Sequence, residues 1–141
     1  AWLNEDFYNS AFALGNSHVQ TTVVDNGAST MDSPFNQYAC SNTNDKVFLP
    51  SYKDYKNSSY GFSTSTDSTD TRCCQTTDWA RARGASYECY NHYNVGCYWT
   101  RSPFGNYSDN AWYVNRDGSY DFWFVDRSSF SVRPALTIKI A

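Results

Sequence analysis

The residues able to do nucleophilic or metal chemistry in this chain are few: two histidines, five cysteines and scattered carboxylates. His92 stands in Tyr90-Asn91-His92-Tyr93, beside Cys89, and a Cys–His nucleophile pair is conceivable there. A His and a Cys so close in sequence seldom form such a pair, so catalysis is not expected from them. His18 falls in a loop near the first helix. Cys40, Cys73, Cys74, Cys89 and Cys97 include no C-x-x-C pair, which argues against a zinc ribbon or a redox motif. The odd count leaves at least one thiol unpaired within the chain. Cys89 and Cys97 could close a short loop, and Cys40 could meet Cys73 or Cys74, which would suit an extracellular setting. Buried thiols acting as small hydrophobes are an equal alternative. Asp67 and Asp70 could reach a hard cation with backbone oxygens, but a solvated polar loop is the expectation. No G-x-S-x-G, H-E-x-x-H, P-loop or dinucleotide fingerprint occurs. The residue types therefore imply a protein without enzyme activity, resident metal or cofactor.

Composition points to recognition instead. Phe, Tyr and Trp make up 18% of the chain, with 12 Tyr and 5 Trp. So many tyrosines should leave many hydroxyls wet. Tyr mixed with Ser, Gly and Asn is the composition of binding surfaces, where rigid aromatic area combines with adaptable hydrogen bonds. A surface-rich β protein with Tyr at strand edges is the plainer reading. Eleven Lys and Arg against 14 Asp and Glu argue against a nucleic-acid partner. No run of apolar residues is long enough to span a bilayer, and no basic run suggests an anionic membrane. The chain opens at Ala1-Trp2-Leu3 with no signal peptide, and reads as processed or excised from something longer.

These side chains must be placed by local elements. Leu3, Phe7, Ala11 and Leu14 recur at helical spacing, and Gly15 supplies a stop. Residues 16 to 45 read as loop around the apolar pair Val23-Val24. Lys46 to Leu49 is a short strand ended by Pro50. Ser51-x-x-Asp54 resembles a capping box for a helical turn. Residues 57 to 76 are a Ser/Thr/Asp-rich exposed loop. Thr77 caps a short helix from Asp78 to Arg83, ended by Gly84. Strands follow at Tyr98 to Arg101, Asn110 to Asn115, Tyr120 to Val125 and Val132 to Ile140. A single domain over 1–141 results, of α+β class: short helices packed on a small, mostly antiparallel sheet with long loops.

Asp117-Gly118 is a strong hairpin signal, read as a two-residue type I′ loop. That register sets Trp112 opposite Trp123 and Val114 opposite Asp121. Trp112, Val114, Trp123 and Val125 then share a core face. Tyr113, Asn115, Tyr120, Phe122 and Phe124 share the other, which is either buried between layers or displayed as a binding platform. Display is the expectation.

At Trp99-Thr100-Arg101-Ser102-Pro103 the sequence resembles a bacterial domain family ending in a W-L-R-S-P … G-V-R-P-A-L pattern. Ala111-Trp112-x-Val114, Asp117-Gly118 and Val132-Arg133-Pro134-Ala135-Leu136 carry the resemblance onward. Trp2-Leu3-Asn4, Phe7-Tyr8-Asn9-x-Ala11-Phe12 and Asp45 to Tyr52 carry it through the first half. Thr100 stands where Leu is usual and Ser131 where Gly is usual. Members often have a further segment before Trp-Leu-Asn, so a first strand is expected to be missing. The family looks related to the formylglycine-generating branch of the C-type-lectin-like fold. Those enzymes use two cysteines near the C-terminal end, and this chain has none after Cys97, so that activity is not implied. The short Glu-Pro-Asn, Gln-Pro-Asp and Trp-Asn-Asp motifs of calcium-dependent sugar binding are absent.

The C-terminal pattern also resembles the variable region of proteins diversified by retroelements. There, randomised adenines turn AAC codons into NNC, which cannot encode Trp, Lys, Gln, Glu or Met. Gly96 to Arg133 contains no Lys, Gln, Glu or Met, and its forbidden residues are Trp99, Trp112 and Trp123. Selection for a Tyr/Ser/Asn-rich surface would produce the same depletion. On this resemblance Trp99, Val114, Val125, Val132 and Leu136 hold the scaffold, with Arg133 tying down neighbouring groups. Asn106, Tyr107, Asp109, Tyr113, Asn115, Arg116, Tyr120, Asp121, Phe122, Phe124, Asp126, Arg127 and Phe130 would bind. The expected ligand is a protein, with a glycan second, met outside the cell on a bacterial surface or a phage virion. A structural or adhesive module of a larger surface protein is the alternative; a formylglycine-generating enzyme ranks last.

Overall fold

The computed structural model describes residues 2–13, 16–87, 94–105 and 107–140. Among these residues it is an α+β arrangement with two short α-helices, α1 (Asp6–Ala11) and α2 (Asp78–Ala82), several 3-10 turns and eight strands. The strands are β1 (Val19–Gln20), β2 (Thr22–Val24), β3 (Thr43–Asp45), β4 (Tyr98–Pro103), β5 (Asn110–Val114), β6 (Tyr120–Phe124), β7 (Ser131–Val132) and β8 (Thr137–Ile138). A four-stranded sheet runs β6-β5-β4-β7, and the pairs β1-β8 and β2-β3 form two smaller ones. All pairings are antiparallel except β4-β7.

Local signals are expressed where their partners lie close in sequence. Ser51 and Asp54 form a reciprocal box: Ser51 N–H donates to Asp54 Oδ2 (2.8 Å) and Asp54 N–H to Ser51 Oγ (3.0 Å). Thr77 Oγ1 accepts from Ala80 N–H and starts α2. The first helix is shorter than its stripe: a 3-10 turn over Trp2–Asn4 precedes α1, and the side chain buried from α1 is Tyr8. The expected stop at Leu14-Gly15 lies outside the described residues.

Elsewhere tertiary pairing overrides the sequence pattern. Val19 and Val24, expected in loop, belong to β1 and β2. The expected strand at 46–49 is a single bridge: Phe48 and Ala135 exchange N–H···O bonds of 3.0 and 2.8 Å. Val132 to Ile140 is broken in two, because Pro134 has no N–H to continue a ladder. Val125 and Val132, expected to hold the scaffold, are exposed.

The core has two clusters. Tyr8, Val19 and Val47 are packed by Leu3, Phe7, Phe12 and Leu136. Tyr55, Tyr98 and Val114 are packed by Phe62, Cys74 and Tyr120. Of the tyrosine hydroxyls expected to be wet, those of Tyr60, Tyr87 and Tyr107 belong to exposed residues, whereas three others lie inside with an acceptor. Tyr98 donates to Arg72 O (2.6 Å), Tyr55 to Arg133 O (3.4 Å) and Tyr120 to Tyr52 O (3.4 Å). Burial pushes the Tyr98 phenol up to about 12, against the opposing pull of Arg133. Arg133 itself stands within 6 Å of the Tyr55, Phe62 and Tyr98 rings and donates a hydrogen bond to Tyr98 Oη (3.2 Å).

Candidate ligand-binding surface

The hairpin of β5 and β6 decides which aromatic rings meet solvent, and its loop is one residue longer than a type I′ turn. Asn115 N–H donates to Ser119 O (2.8 Å) and Gly118 N–H to Asn115 O (2.9 Å), with Gly118 at φ +78°. This is a three-residue loop closed by a left-handed glycine. The register is therefore Val114 opposite Tyr120, Trp112 opposite Phe122 and Ala111 opposite Trp123. The slip of one position moves every return-strand side chain to the other face from that expected. Tyr120, Phe122 and Phe124 share a face with Trp112 and Val114; Trp123 and Val125 share one with Tyr113.

The expected core and display faces are both corrected by this. Tyr113, expected at the surface, is only 6% exposed; it lies under Phe130 (ring centroids 4.4 Å) and against Trp99 (6.0 Å). Burial and the Asp121 carboxylate push its phenol up to about 12. Tyr120 packs on Tyr52 (4.6 Å) and beneath the Arg72 guanidinium (4.5 Å), so it is core. Phe130 is half-buried in the Trp99 and Tyr113 stack. Trp123 and Val125, expected inside, are 43% and 59% exposed.

What remains displayed is compact. Tyr107, Asn110, Asp121, Phe122, Trp123 and Phe124 line a pocket of about 350 Å3 at the sheet's edge strand. Phe122 stacks on Phe104 at 3.8 Å and 6°, and Phe104 stacks on Tyr107 at 5.6 Å. Trp112 meets Phe104, Phe122 and Tyr52 at 5.1, 5.9 and 4.9 Å, so the displayed rings are braced by a continuous aromatic ladder reaching the core. Asn110 is 91% buried by its 9% exposure, and its Oδ1 has no hydrogen-bond partner. A buried acceptor without a donor is a standing penalty that a ligand hydroxyl or N–H would relieve.

The other expected positions sort by place. Asp109, Asp126 and Arg127 are exposed around the open end of the hairpin, where Val125 N–H donates to Asp109 O (2.9 Å). Arg127 lies over the Trp123 and Phe130 rings at 5.5 and 5.9 Å. Asn115 and Arg116 sit half-buried in the turn, at the opposite end. Asn106 lies outside the described residues. The two pocket residues not anticipated are Asn110 and Trp123; reading Gly118 as the third residue of a longer loop would have revealed Trp123, whereas nothing in the sequence marks Asn110.

The chemistry-bearing residues are dispersed. Among the described residues no group of three or more His, Cys, Asp or Glu could hold a metal ion. Cys40, Cys73 and Cys74 are free thiols, so Cys40 is joined to neither Cys73 nor Cys74. Burial and the Asp70 and Asp117 carboxylates push the Cys73 thiol up, the reverse of activation. Asp67 spends its carbonyl on Arg72 and a carboxylate oxygen on Ser65. The Cys89 and His92 pair lies outside the described residues. No described helix is long and apolar enough to cross a membrane.

Fold and surface thus define a small α+β domain with a braced, exposed aromatic edge. The chain belongs to the family described as DUF6273, a domain of unknown function, which matches residues 1–140. No curated protein and no solved structure shows detectable similarity to it.

Proposed function

We propose that the domain is a non-catalytic ligand-binding module whose contact surface is the edge pocket formed by Tyr107, Asn110, Asp121, Phe122, Trp123 and Phe124. The observation that carries this reading is the exposure of Trp123 and Phe124 beside an unpartnered, buried amide oxygen on Asn110. Adjacent exposed aromatic rings mark interaction sites rather than ordinary surface. The raised Cys73 thiol and the scattered titratable groups favour binding over catalysis.

The finer reading is a C-type-lectin-like domain on a bacterial surface or phage virion, with a protein as its ligand and retroelement diversification of its last third. The order of elements supports this reading: short N-terminal helices, a long irregular middle and a closing antiparallel hairpin. Under diversification Trp123 is a fixed anchor, because NNC cannot encode it, and Tyr107, Asp121, Phe122 and Phe124 form a changeable rim.

A screen of the whole chain against surface proteins and glycan arrays tests the function. Ligands captured by the wild type should be lost by Trp123→Ala/Phe124→Ala with the melting temperature unchanged. Capture that survives this double variant overturns the assignment. A nearby reverse-transcriptase gene with a near-copy of the coding end would support diversification; a genomic neighbourhood without both sinks it.

A further inference from the structure

We propose that the edge pocket takes an extended, basic segment of a partner protein, with a Lys or Arg side chain laid across its rings; this rests on the binding function above. The argument starts from the backbone. The bonds Asn115 N–H to Ser119 O and Val125 N–H to Asp109 O fix the phase of the β5-β6 ladder. Asp121 and Trp123 bond inward to β5, so Tyr120, Phe122 and Phe124 turn their backbone groups to the open edge. Three of those groups are already engaged. Tyr120 N–H donates to Thr66 O (3.3 Å), Phe122 N–H to Asp121 Oδ1 (2.8 Å), and Phe124 O accepts from Arg127 N–H (3.2 Å). The Phe122 carbonyl and the Phe124 N–H, on either side of Trp123, have no partner among the described residues. One residue of an extended chain running parallel to β6 satisfies both.

The side chains set the charge of that segment. The one charged side chain lining the pocket is the Asp121 carboxylate, beside the Asn110 Oδ1 acceptor; the side-chain donors of the lining residues, the Tyr107 hydroxyl, the Asn110 amide NH2 and the Trp123 indole N–H, are neutral. Neither Lys nor Arg lines it. Asp109 and Asp126 add exposed carboxylates at the open end of the same hairpin. Four aromatic rings beside a carboxylate favour a cation with an apolar stem, which stacks its methylenes on the rings and puts its charge over a ring face. Arg127 already uses the Trp123 ring in this way from within the chain.

The test is an NMR titration of the 15N-labelled chain. The probes are a capped Thr-Arg-Thr-Arg-Thr peptide, its Thr-Glu-Thr-Glu-Thr counterpart and maltotriose. The arginine peptide should shift the Phe122 and Phe124 amides and the Trp123 indole saturably. Its affinity should fall about fivefold or more between about 0.05 M and 0.5 M salt, as for exposed opposite charges. Asp121→Asn should weaken it about fivefold at unchanged melting temperature, and Asp121→Glu should restore most of the loss. Equal binding of the glutamate peptide, or indifference to salt and to Asp121→Asn, overturns the basic class. Shifts at these resonances with maltotriose alone replace the peptide by a glycan and leave the pocket function standing. No shift with the arginine peptide overturns the proposal, whereas captured ligands indifferent to Trp123→Ala/Phe124→Ala overturn the pocket function beneath it.

Discussion

Arg72 Nε donates a 2.6 Å hydrogen bond to the carbonyl of Gly118, at the tip of the hairpin 46 residues further along the chain. The guanidinium is fully buried and forms no ion pair among the described residues; its other nitrogens bond the carbonyls of Ser63 (2.9 Å) and Asp67 (2.8 Å). Its charge is thus solvated by three loop carbonyls and the Tyr120 ring. Arg72→Lys presents a single ammonium that cannot span this fork and should destabilise by about 2–3 kcal/mol. Arg72→Met, which leaves the buried Gly118 carbonyl and the part-buried Ser63 and Asp67 carbonyls unbonded, should lose about 2–4 kcal/mol in urea unfolding. Near-neutral values for both would mean that the loop and the hairpin are held together by other contacts.

Gly118 and Gly61 both have positive φ, +78° and +84°, yet they should respond differently to alanine. A Cβ at Gly61 meets open space, so Gly61→Ala carries only the backbone penalty, about 1 kcal/mol. A Cβ at Gly118 collides with the Thr69 carbonyl oxygen. Because Thr69 N–H also donates to Asp117 O (2.9 Å), that carbonyl cannot retreat without opening the clamp. Gly118→Ala should lose about 3 kcal/mol or more, and thermal melts of the two variants give the comparison.

Tyr120 and Trp123 should separate fold from recognition. Tyr120→Ala removes a ring wedged between Tyr52 and Arg72 and should lose about 3 kcal/mol. Trp123→Ala should stay within about 1 kcal/mol, because the ring is 43% exposed. Equal effects on chemical denaturation would reassign Trp123 to the core.

Alkali should unfold the domain through its tyrosines. The folded values of Tyr98 and Tyr113 are raised to about 12, above the ordinary value of 10.0, chiefly by burial. Between those values the unfolded chain binds fewer protons than the folded one, so stability falls as pH rises. The stabilisation is complete below about pH 10 and lost through about pH 12, at up to about 1.4 kcal/mol per pH unit for each fully titrating tyrosine. Tyrosinate absorbance should rise together with loss of near-UV circular dichroism. Tyr98→Phe should flatten the slope, and absorbance rising ahead of unfolding would contradict the burial.

Sequence reasoning reached the α+β class and several features whose partners are near neighbours, such as the Ser51–Asp54 box, the Thr77 cap and the existence of the hairpin. It missed what depends on contacts distant in the chain. Strands of two or three residues, such as β1 and β8, carry no readable period, and Val19 becomes a strand because Ile138 lies opposite. The hairpin register failed on one loop residue, since Asp-Gly serves both a two-residue turn and the end of a three-residue one. That error carried Trp123, Phe122 and Phe124 alike to the wrong face; Phe122 and Phe124 are exposed even so, on the face they share with Trp112. Arg72 was illegible: a Ser/Thr/Asp-rich stretch advertises solvent exposure, and nothing in it announces that its carbonyls converge on a buried cation.

The two ends of the β5-β6 hairpin are consequently unequal as places to insert foreign sequence. Around Gly118 the chain is bolted to residues 66–72, and extra length there would unseat the bolt. Past Val125 the exposed residues Asp126, Arg127 and Ser128 make only short-range turn bonds, Arg127 N–H to Phe124 O (3.2 Å) and Phe130 N–H to Arg127 O (3.4 Å), before Ser129 O is fastened to Ser86 N–H (2.7 Å). An engineer grafting a peptide tag or a reporter onto this scaffold has a natural socket at 126–128, next to the aromatic edge.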